Sequence, residues 1–180
     1  MIFAPTPLAD AFVIEPEPTA DARGLFARTW CQREFAARGL ETRIAQSSTS
    51  YNKLKGTLRG MHYQVPPFAE TKIVRCTRGS IYDVILDLRP ESPTALRHFG
   101  IVLSADNRKA IYVPTWFAHG FQTLEDDTEV LYQISEFYSP EHSRGVRWDD
   151  PLFGIPWPSD TRTISERDRA FPDFRPPGPS

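Results

Sequence analysis

Proline spacing is the feature that most constrains what this chain can fold into. The 180 residues include 17 prolines, and they are spread along the whole length. A proline inside a helix removes a backbone hydrogen bond and clashes with the preceding turn, whereas turns and strand ends accommodate it. Long helices are therefore disfavoured. The length suits one domain with a sizeable core, so we predict a single all-β domain over residues 1–173. A frayed tail is expected over residues 174–180, which are rich in proline.

Alternating apolar residues predict strands in the second half of the chain. In residues 80–88, Asp83 and Asp87 share one face with two isoleucines, and the opposite face is entirely apolar. Turn signals separate this segment from four more that follow the same pattern, at 98–103, 110–113, 120–124 and 129–135. Short strands at this spacing predict a sandwich or a barrel. One helix is predicted over residues 30–38, where Gly39 is a natural stop.

Charge and cysteine content exclude several partners. The net charge of −2 provides no basic face for a nucleic-acid backbone. Cys31 and Cys76 are the only cysteines, too few for a disulfide framework or a thiolate zinc site. The N-terminus lacks a signal-peptide pattern and no stretch reaches membrane-spanning length. We therefore expect a cytoplasmic protein with no nucleic-acid or membrane partner.

Three polar and aromatic clusters hold the residues best suited to chemistry, 58–64 followed by 72–75, 114–121, and 131–133. If 58–64 is a strand, alternation places Arg59 on one side and His62 on the other. Histidine can abstract and return protons near neutral pH. Spacing alone is equally consistent with His62 and His119 making only hydrogen bonds in the core.

A metal site needs three or four nitrogen or oxygen ligands that converge on one point. His62 and His119 are well placed, but Gln64 is a poor ligand and Glu70 follows a proline-containing loop. We therefore expect no metal at this site.

Motifs from about residue 10 to about residue 173 resemble, in order and with few gaps, those of the dTDP-4-dehydrorhamnose 3,5-epimerase family. They include DARGLF at 21–26, LRGMHYQ at 58–64, KIVR at 72–75, DVILDLR at 83–89, SPT at 92–94, FAHGF at 117–121, a tyrosine at 132, WDDP at 148–151, GIPWP at 154–158 and SERD at 165–168.

The resemblance implies a cupin-type jelly-roll β-sandwich with short helices near the N- and C-terminal regions. It also implies a homodimer that uses no metal or cofactor. The expected reaction is epimerisation at carbons 3 and 5 of a nucleotide-linked 4-keto-6-deoxy sugar, converting dTDP-4-dehydro-6-deoxy-D-glucose to dTDP-4-dehydro-L-rhamnose.

The same resemblance assigns roles to individual residues. His62 would be the base, Asp168 would orient it, Lys72 would lie near the ketone and Tyr132 would be the acid on the opposite face. The implied substrate-binding residues are Arg23, Phe26, Gln46, Ser48, Arg59, His119, Tyr138 and Arg167.

These residue types suit the chemistry without reference to the family. A ketone at carbon 4 acidifies the hydrogens on carbons 3 and 5, and a lysine cation can stabilise the enolate oxygen in a dry site. Inversion requires a base on one wall of a cleft and an acid on the other, as proposed for His62 and Tyr132. Arginines supply forked donors for a diphosphate.

Each catalytic assignment has a structural alternative. Ser165 and Asp168 have the spacing of a helix-capping pair. Lys72 could be a solvated strand residue, and Tyr132 could be a core aromatic whose hydroxyl is satisfied.

Some positions depart from the family pattern. Arg28, Ser48 and Ser143 replace residues that contact the nucleotide, and Trp116 replaces a glycine before the FAHGF motif. A CDP-linked sugar, or inversion at only one carbon, therefore remains an alternative. Two further alternatives are a non-catalytic sugar-binding jelly roll and a metal-dependent cupin.

Overall fold

The structure is a computed structural model that describes residues 1–160 and 163–175. Two short helices, α1 (Gln32–Ala36) and α2 (Glu166–Arg169), accompany strands that carry most of the regular structure. The strands are β1 (Ile2–Pro5), β2 (Phe12–Glu15), β3 (Thr19–Asp21), β4 (Gly24–Phe26), β5 (Gln46–Asn52), β6 (Leu58–Gln64), β7 (Lys72–Arg78), β8 (Ser80–Asp87), β9 (His98–Ser104), β10 (Ala110–Val113), β11 (Phe117–Thr123), β12 (Thr128–Ile134) and β13 (Ser143–Gly145).

Two antiparallel sheets pack face to face as a jelly-roll sandwich, which confirms the predicted all-β fold. One sheet has six strands in the order β1-β2-β10-β7-β12-β5, and the other has five in the order β13-β6-β11-β8-β9. The main core lies between them, where Ile85 and Phe121 of the second sheet meet Val74 and Val130 of the first. A separate two-stranded hairpin is formed by β3 and β4.

Strand β8 is buried on both faces, although two aspartates lie on one of them. Ile81 and Ile85 face the other sheet, whereas Val84 and Leu86 pack against Val146 and other residues of the C-terminal part of the chain. The same double burial explains why the start of β11 was missed. Every residue of β11 is buried, so the strand shows no polar alternation and begins three residues before its predicted start.

Helix α1 covers the outer face of the six-stranded sheet. Its Phe35 is fully buried against Ile14, Ile73 and Tyr112. The helix begins after Cys31, which provides no side-chain cap, and it is shorter than the predicted 30–38 at both ends. Gly39, at φ 68°, follows it.

The predicted alternation along β6 is wrong at Arg59. Strand β6 pairs His62 with His119 and Arg59 with Phe121, so three steps along β6 match two along β11. This β-bulge inserts one residue and turns Arg59 to the same side as His62. Met61 instead enters the core on the other side of the sheet.

Two glycines permit the close approach of β6 and β11 at the bulge. Gly60 has a φ of 140°, and a Cβ there would lie 2.5 Å from the Cα of Gly120. Only glycine fits this position, which sets the two histidine-bearing strands side by side.

Phe174, the first residue of the predicted frayed tail, is packed against the domain. The N–H of Phe174 donates to the Asp150 carboxylate at 2.6 Å, and its ring packs on Phe153. Residues 176–180 of that prediction lie outside the described residues. In the part of the chain that the structure describes, no helix is long and apolar enough to cross a membrane.

Candidate active site

A cavity of about 310 Å³ gathers most of the predicted site residues. Strands of both sheets line it, with β6 and β11 on one side and β5, β7 and β12 on the other. Its lining includes Gln46, Ser48, Ser50, Arg59, His62, Tyr63, Glu70, Lys72, His119, Tyr132, Glu136, Tyr138, Ser143 and Arg167.

His62 is hydrogen-bonded to Asp168, the residue that the resemblance expects to orient it. The Nε2 atom of His62 lies 2.7 Å from Asp168 Oδ1, and Asp168 Oδ2 accepts from the Gly60 N–H at 3.2 Å. Because the carboxylate is an acceptor, it favours the tautomer with the proton on Nε2 and leaves Nδ1 free as a base. The His62 side chain is 38% exposed, so it is open to a ligand.

Asp168 also belongs to a helix cap, so the two interpretations of the SERD motif hold together. The Ser165 hydroxyl accepts from the Asp168 N–H at 3.1 Å, which starts α2. Burial disfavours the charged carboxylate, but hydrogen bonds from His62 and Gly60 outweigh it and lower the pKa of Asp168 below its usual value. The helix thus presents an ionised carboxylate to the histidine.

Lys72 is held at the first position of β7. Its Nζ donates to the backbone carbonyl of His62 at 3.0 Å and lies 3.0 Å from Glu70 Oε1. The side chain is largely buried, which contradicts the alternative of a solvated strand residue.

Tyr132 reaches the cavity from β12, in the sheet opposite to His62. Burial raises the pKa of its phenol far above the usual value, so the group keeps its proton at neutral pH. Its ring meets the His119 ring edge to face, with centroids 5.9 Å apart.

His119 and Arg59 are each fixed by a neighbouring polar side chain. His119 Nε2 lies 2.8 Å from Asp83 Oδ2, and Arg59 Nε donates to Asn52 Oδ1 at 2.7 Å. Asp83 is fully buried. Alternation along β8 places Asp83 on the face of Ile85, but its contact with His119 depends on the pairing of β8 with β11, which cannot be read from the chain.

Polar and aromatic groups at one end of the cavity surround an open space. Arg167 donates to Ser143 Oγ at 2.8 Å and to the Tyr138 hydroxyl at 3.3 Å. Gln46 Oε1 accepts from the Tyr138 N–H at 2.6 Å. The Tyr138 ring is 56% exposed, as a surface for stacking requires.

Two predicted binding residues do not line this cavity in the single chain. Arg23 and Phe26 lie on the β3–β4 hairpin and line a separate depression, where Arg23 is paired with Asp21. The Phe26 side chain is 78% exposed. Arg28 lies nearby in sequence and is paired with Glu34 at 3.2 Å.

Some lining residues were missed by sequence reasoning. Glu70 was considered only as a metal ligand, and Ser50, Tyr63 and Glu136 were not considered as site residues. Glu70 precedes Lys72 by two residues, which is the spacing of same-side neighbours in an extended chain and could have indicated their pairing. Within residues 1–160 and 163–175, no three histidine, cysteine, aspartate or glutamate side chains group as metal ligands.

The sequence of residues 5–176 matches the dTDP-4-dehydrorhamnose 3,5-epimerase family. The chain belongs to this family. It is 40% identical over 175 residues to the dTDP-4-dehydrorhamnose 3,5-epimerase of Sinorhizobium fredii, covering 97% of this chain and 90% of the relative. The family members are isomerases, and this chain is one of them.

Solved structures of related enzymes have the same fold. The dTDP-4-dehydrorhamnose 3,5-epimerase of Bacillus anthracis, with TDP and PPi bound, superposes with a TM-score of 0.93 at 40% identity, covering 96% of this chain and 99% of that one. A 3'-monoepimerase of Streptomyces bikiniensis in complex with dTDP-quinovose gives a TM-score of 0.86 at 32% identity, with coverages of 94% and 86%.

Proposed function

We propose that this chain inverts carbons 3 and 5 of a nucleotide-linked 4-keto-6-deoxy sugar. The substrate is dTDP-4-dehydro-6-deoxy-D-glucose and the product is dTDP-4-dehydro-L-rhamnose. The observation that supports this most is the placement of His62 and Tyr132 on opposing sheets, both facing one cavity that Lys72 also lines. A cytoplasmic location belongs to the same proposal.

Proton abstraction is the work of His62. With Nε2 bound to Asp168, Nδ1 takes the proton from the carbon next to the ketone, and the ionised Asp168 stabilises the imidazolium that forms. The electron pair moves onto the ketone oxygen and gives an enolate.

The enolate oxygen and the returning proton need two further groups. The Lys72 ammonium donates a hydrogen bond to that oxygen as its charge develops. The Tyr132 phenol, kept protonated by burial, delivers a proton to the other face of the carbon. Proton removal on one face and delivery on the other inverts the centre.

Arginines and an aromatic ring suit the nucleotide end. Arg59 and Arg167 line the cavity and offer forked donors to a diphosphate. The exposed ring of Tyr138 offers a face for stacking on the base. His119, whose ring is held in place by Asp83, binds the sugar.

A homodimer would complete the site. Arg23 and Phe26 stand on a hairpin that pairs with neither large sheet. Phe26 is the last residue of its second strand, and a phenylalanine so exposed is typical of a residue covered by a partner. We propose that the hairpin of one copy reaches the cavity of the other and supplies these two residues to the nucleotide.

The test is solvent-deuterium incorporation across dTDP-linked and CDP-linked 4-keto sugars, with NMR of the products. Deuterium at both carbons of the dTDP sugar is the expected result for the wild-type protein. His62→Ala should lower turnover by about 10²–10⁴-fold, the usual contribution of a positioned general base.

Other outcomes would change the proposal. Exchange at carbon 3 alone would favour the single-carbon reaction, which the name of the Streptomyces bikiniensis relative describes. Preference for the CDP sugar would mean that the substrate carries CDP in place of dTDP. Binding without any exchange would mean that the protein binds the sugar without acting on it. Exchange at the wild-type rate in His62→Ala would mean that His62 is not the base.

A further inference from the structure

Glu70 is a buried carboxylate that the mechanism above does not use. Its side chain is 5% exposed, and Oε1 lies 3.0 Å from the Lys72 Nζ. Its other oxygen, Oε2, is buried and accepts no hydrogen bond within residues 1–160 and 163–175. Burying a carboxylate opposes folding, and a buried ion pair is often no more stabilising than apolar residues of the same volume. Stability alone therefore does not account for this glutamate.

The position of Glu70 determines where the lysine ammonium can point. Lys72 ends in a flexible four-carbon stem that would otherwise sample many rotamers. Two acceptors restrict it, the Glu70 carboxylate and the carbonyl of His62. They come from different segments, the loop before β7 and strand β6. An ammonium has three N–H donors, so this arrangement commits two and leaves one for a ligand in the cavity.

We propose that Glu70 is a positioning residue that aims the Lys72 ammonium at the ketone oxygen before substrate binds. The proposal rests on the function given above and deepens it. Glu70 acts through Lys72 and does not itself touch the sugar. The Lys72 ammonium donates a hydrogen bond to the backbone carbonyl of His62. The base and the cation that stabilises the enolate are therefore held in a fixed position relative to each other.

This role has a kinetic signature. The hydrogen bond from Lys72 strengthens as charge develops on the oxygen, so its misplacement affects the transition state more than the ground state. Loss of Glu70 should therefore lower kcat while KM changes little. A merely structural role would instead lower stability and leave kcat per folded molecule unchanged.

Two variants of similar length separate these roles. Glu70→Gln keeps an oxygen that can accept from the ammonium, whereas Glu70→Met fills the space without an acceptor. We expect Glu70→Met to lower kcat by about 10–100-fold, the size of effect that misplacement of a reacting group produces. Glu70→Gln should recover most of that loss. Equal losses in the two variants would overturn the proposal.

A double-mutant cycle with Lys72→Met tests whether the effect passes through the lysine. In that background, Glu70→Met should cause no further loss of deuterium exchange, because the group that it positions is absent. An undiminished further loss would overturn the proposal. Glu15→Gln is the matched control, since Glu15 pairs with Lys109 at 2.8 Å outside the cavity, and its kcat should equal that of the wild type.

The wild-type reaction distinguishes failure of this proposal from failure of the proposed function. If wild-type protein exchanges no deuterium into any of the keto sugars, the proposed function is wrong. If it exchanges and Glu70→Met behaves like Glu15→Gln, the function stands and the role of Glu70 is wrong.

Discussion

At the scale of single residues, the site depends on carboxylates that hold histidines. His62 and His119 each turn Nε2 toward an aspartate of low exposure, Asp168 for the first and Asp83 for the second. Such a partner fixes both the ring orientation and the tautomer. The free nitrogen of each ring is therefore assigned by its neighbour.

Tyr132→Phe should separate proton exchange from inversion. The change removes one hydroxyl and keeps the ring that packs against His119. Exchange needs only the base and enolate stabilisation, so deuterium should still enter through His62 and Lys72. Net inversion should fall much further, especially at carbon 5, because the donor on the far face is lost.

Mass spectrometry of deuterium uptake, alongside NMR of product stereochemistry in the same buffer, measures both quantities. Some leakage is expected from water that enters the space of the hydroxyl. Equal losses of exchange and inversion would mean that Tyr132 positions the sugar and is not the acid.

Chelator treatment should leave turnover unchanged. The proposed steps use a histidine, a lysine and a phenol. The two histidines of the cavity, His62 and His119, each have one ring nitrogen hydrogen-bonded to a carboxylate. The measurement is the exchange rate before and after dialysis against a chelator, with total metal determined on the same samples. Activity that is lost and then restored by a divalent ion would contradict the mechanism.

At the scale of elements, the end of strand β8 is stabilised by a buried carboxylate. Asp87 accepts from Arg89 at 2.8 Å, from Ser92 at 2.5 Å and from Thr94 at 2.8 Å. Burial disfavours the charged form of Asp87, but these donors outweigh it and lower its pKa. The Asp87 side chain thus stabilises the turn after β8. This turn leads to β9, the strand that pairs with β8.

This shift makes stability depend on pH. A carboxyl group whose pKa is lowered by folding contributes stability above its unfolded pKa of about 3.9, and loses it as the pH falls through the folded value. Asp87→Asn should lower the free energy of unfolding by about 2–4 kcal/mol at pH 7. The difference from the wild type should shrink as the pH falls below about 4.

Urea unfolding at fixed protein concentration from pH 7 to pH 3 measures this dependence. Glu91→Gln is the control, because Glu91 lies in the same turn and is exposed. An Asp87→Asn effect that stayed constant over the whole range would mean that the carboxylate charge contributes nothing.

At the scale of the whole molecule, the prediction concerns completion of the site by a second copy. Phe26→Ala removes the exposed ring of the hairpin, and His62→Ala removes the base. If the hairpin of one copy serves the cavity of its partner, each homodimer is impaired, but a mixed dimer has one intact site. Random mixing gives mixed dimers for half of the molecules, so activity should recover to about a quarter of the wild-type value.

The two variants are mixed after denaturation and refolded together, and exchange is compared with the sum of the separately refolded samples. A mixture no more active than that sum would mean that the hairpin does not complete a neighbouring site. Light scattering on the wild-type protein gives the oligomeric state independently.

Local pattern was sufficient to predict much of this protein. Prolines and short alternating segments predicted the all-β class, and alternation correctly placed Asp83 and Ile85 on one face of β8, opposite to Val84 and Leu86. The resemblance to the epimerase family predicted the reaction, and it suggested the roles that we propose for His62, Lys72, Tyr132 and Asp168. The helix cap formed by Ser165 followed from its spacing to Asp168, whereas the contact of Asp168 with His62 followed only from the resemblance.

Only the tertiary structure decided which residues meet. The bulge at Gly60 brings Arg59 to the side of His62, and alternation could not predict it because the extra residue appears only when β6 pairs with β11. The contact of Asp83 with His119 likewise depends on strand pairing. Arg23 and Phe26 do not line the cavity, because their hairpin pairs with neither large sheet, and no local sequence pattern indicates this placement.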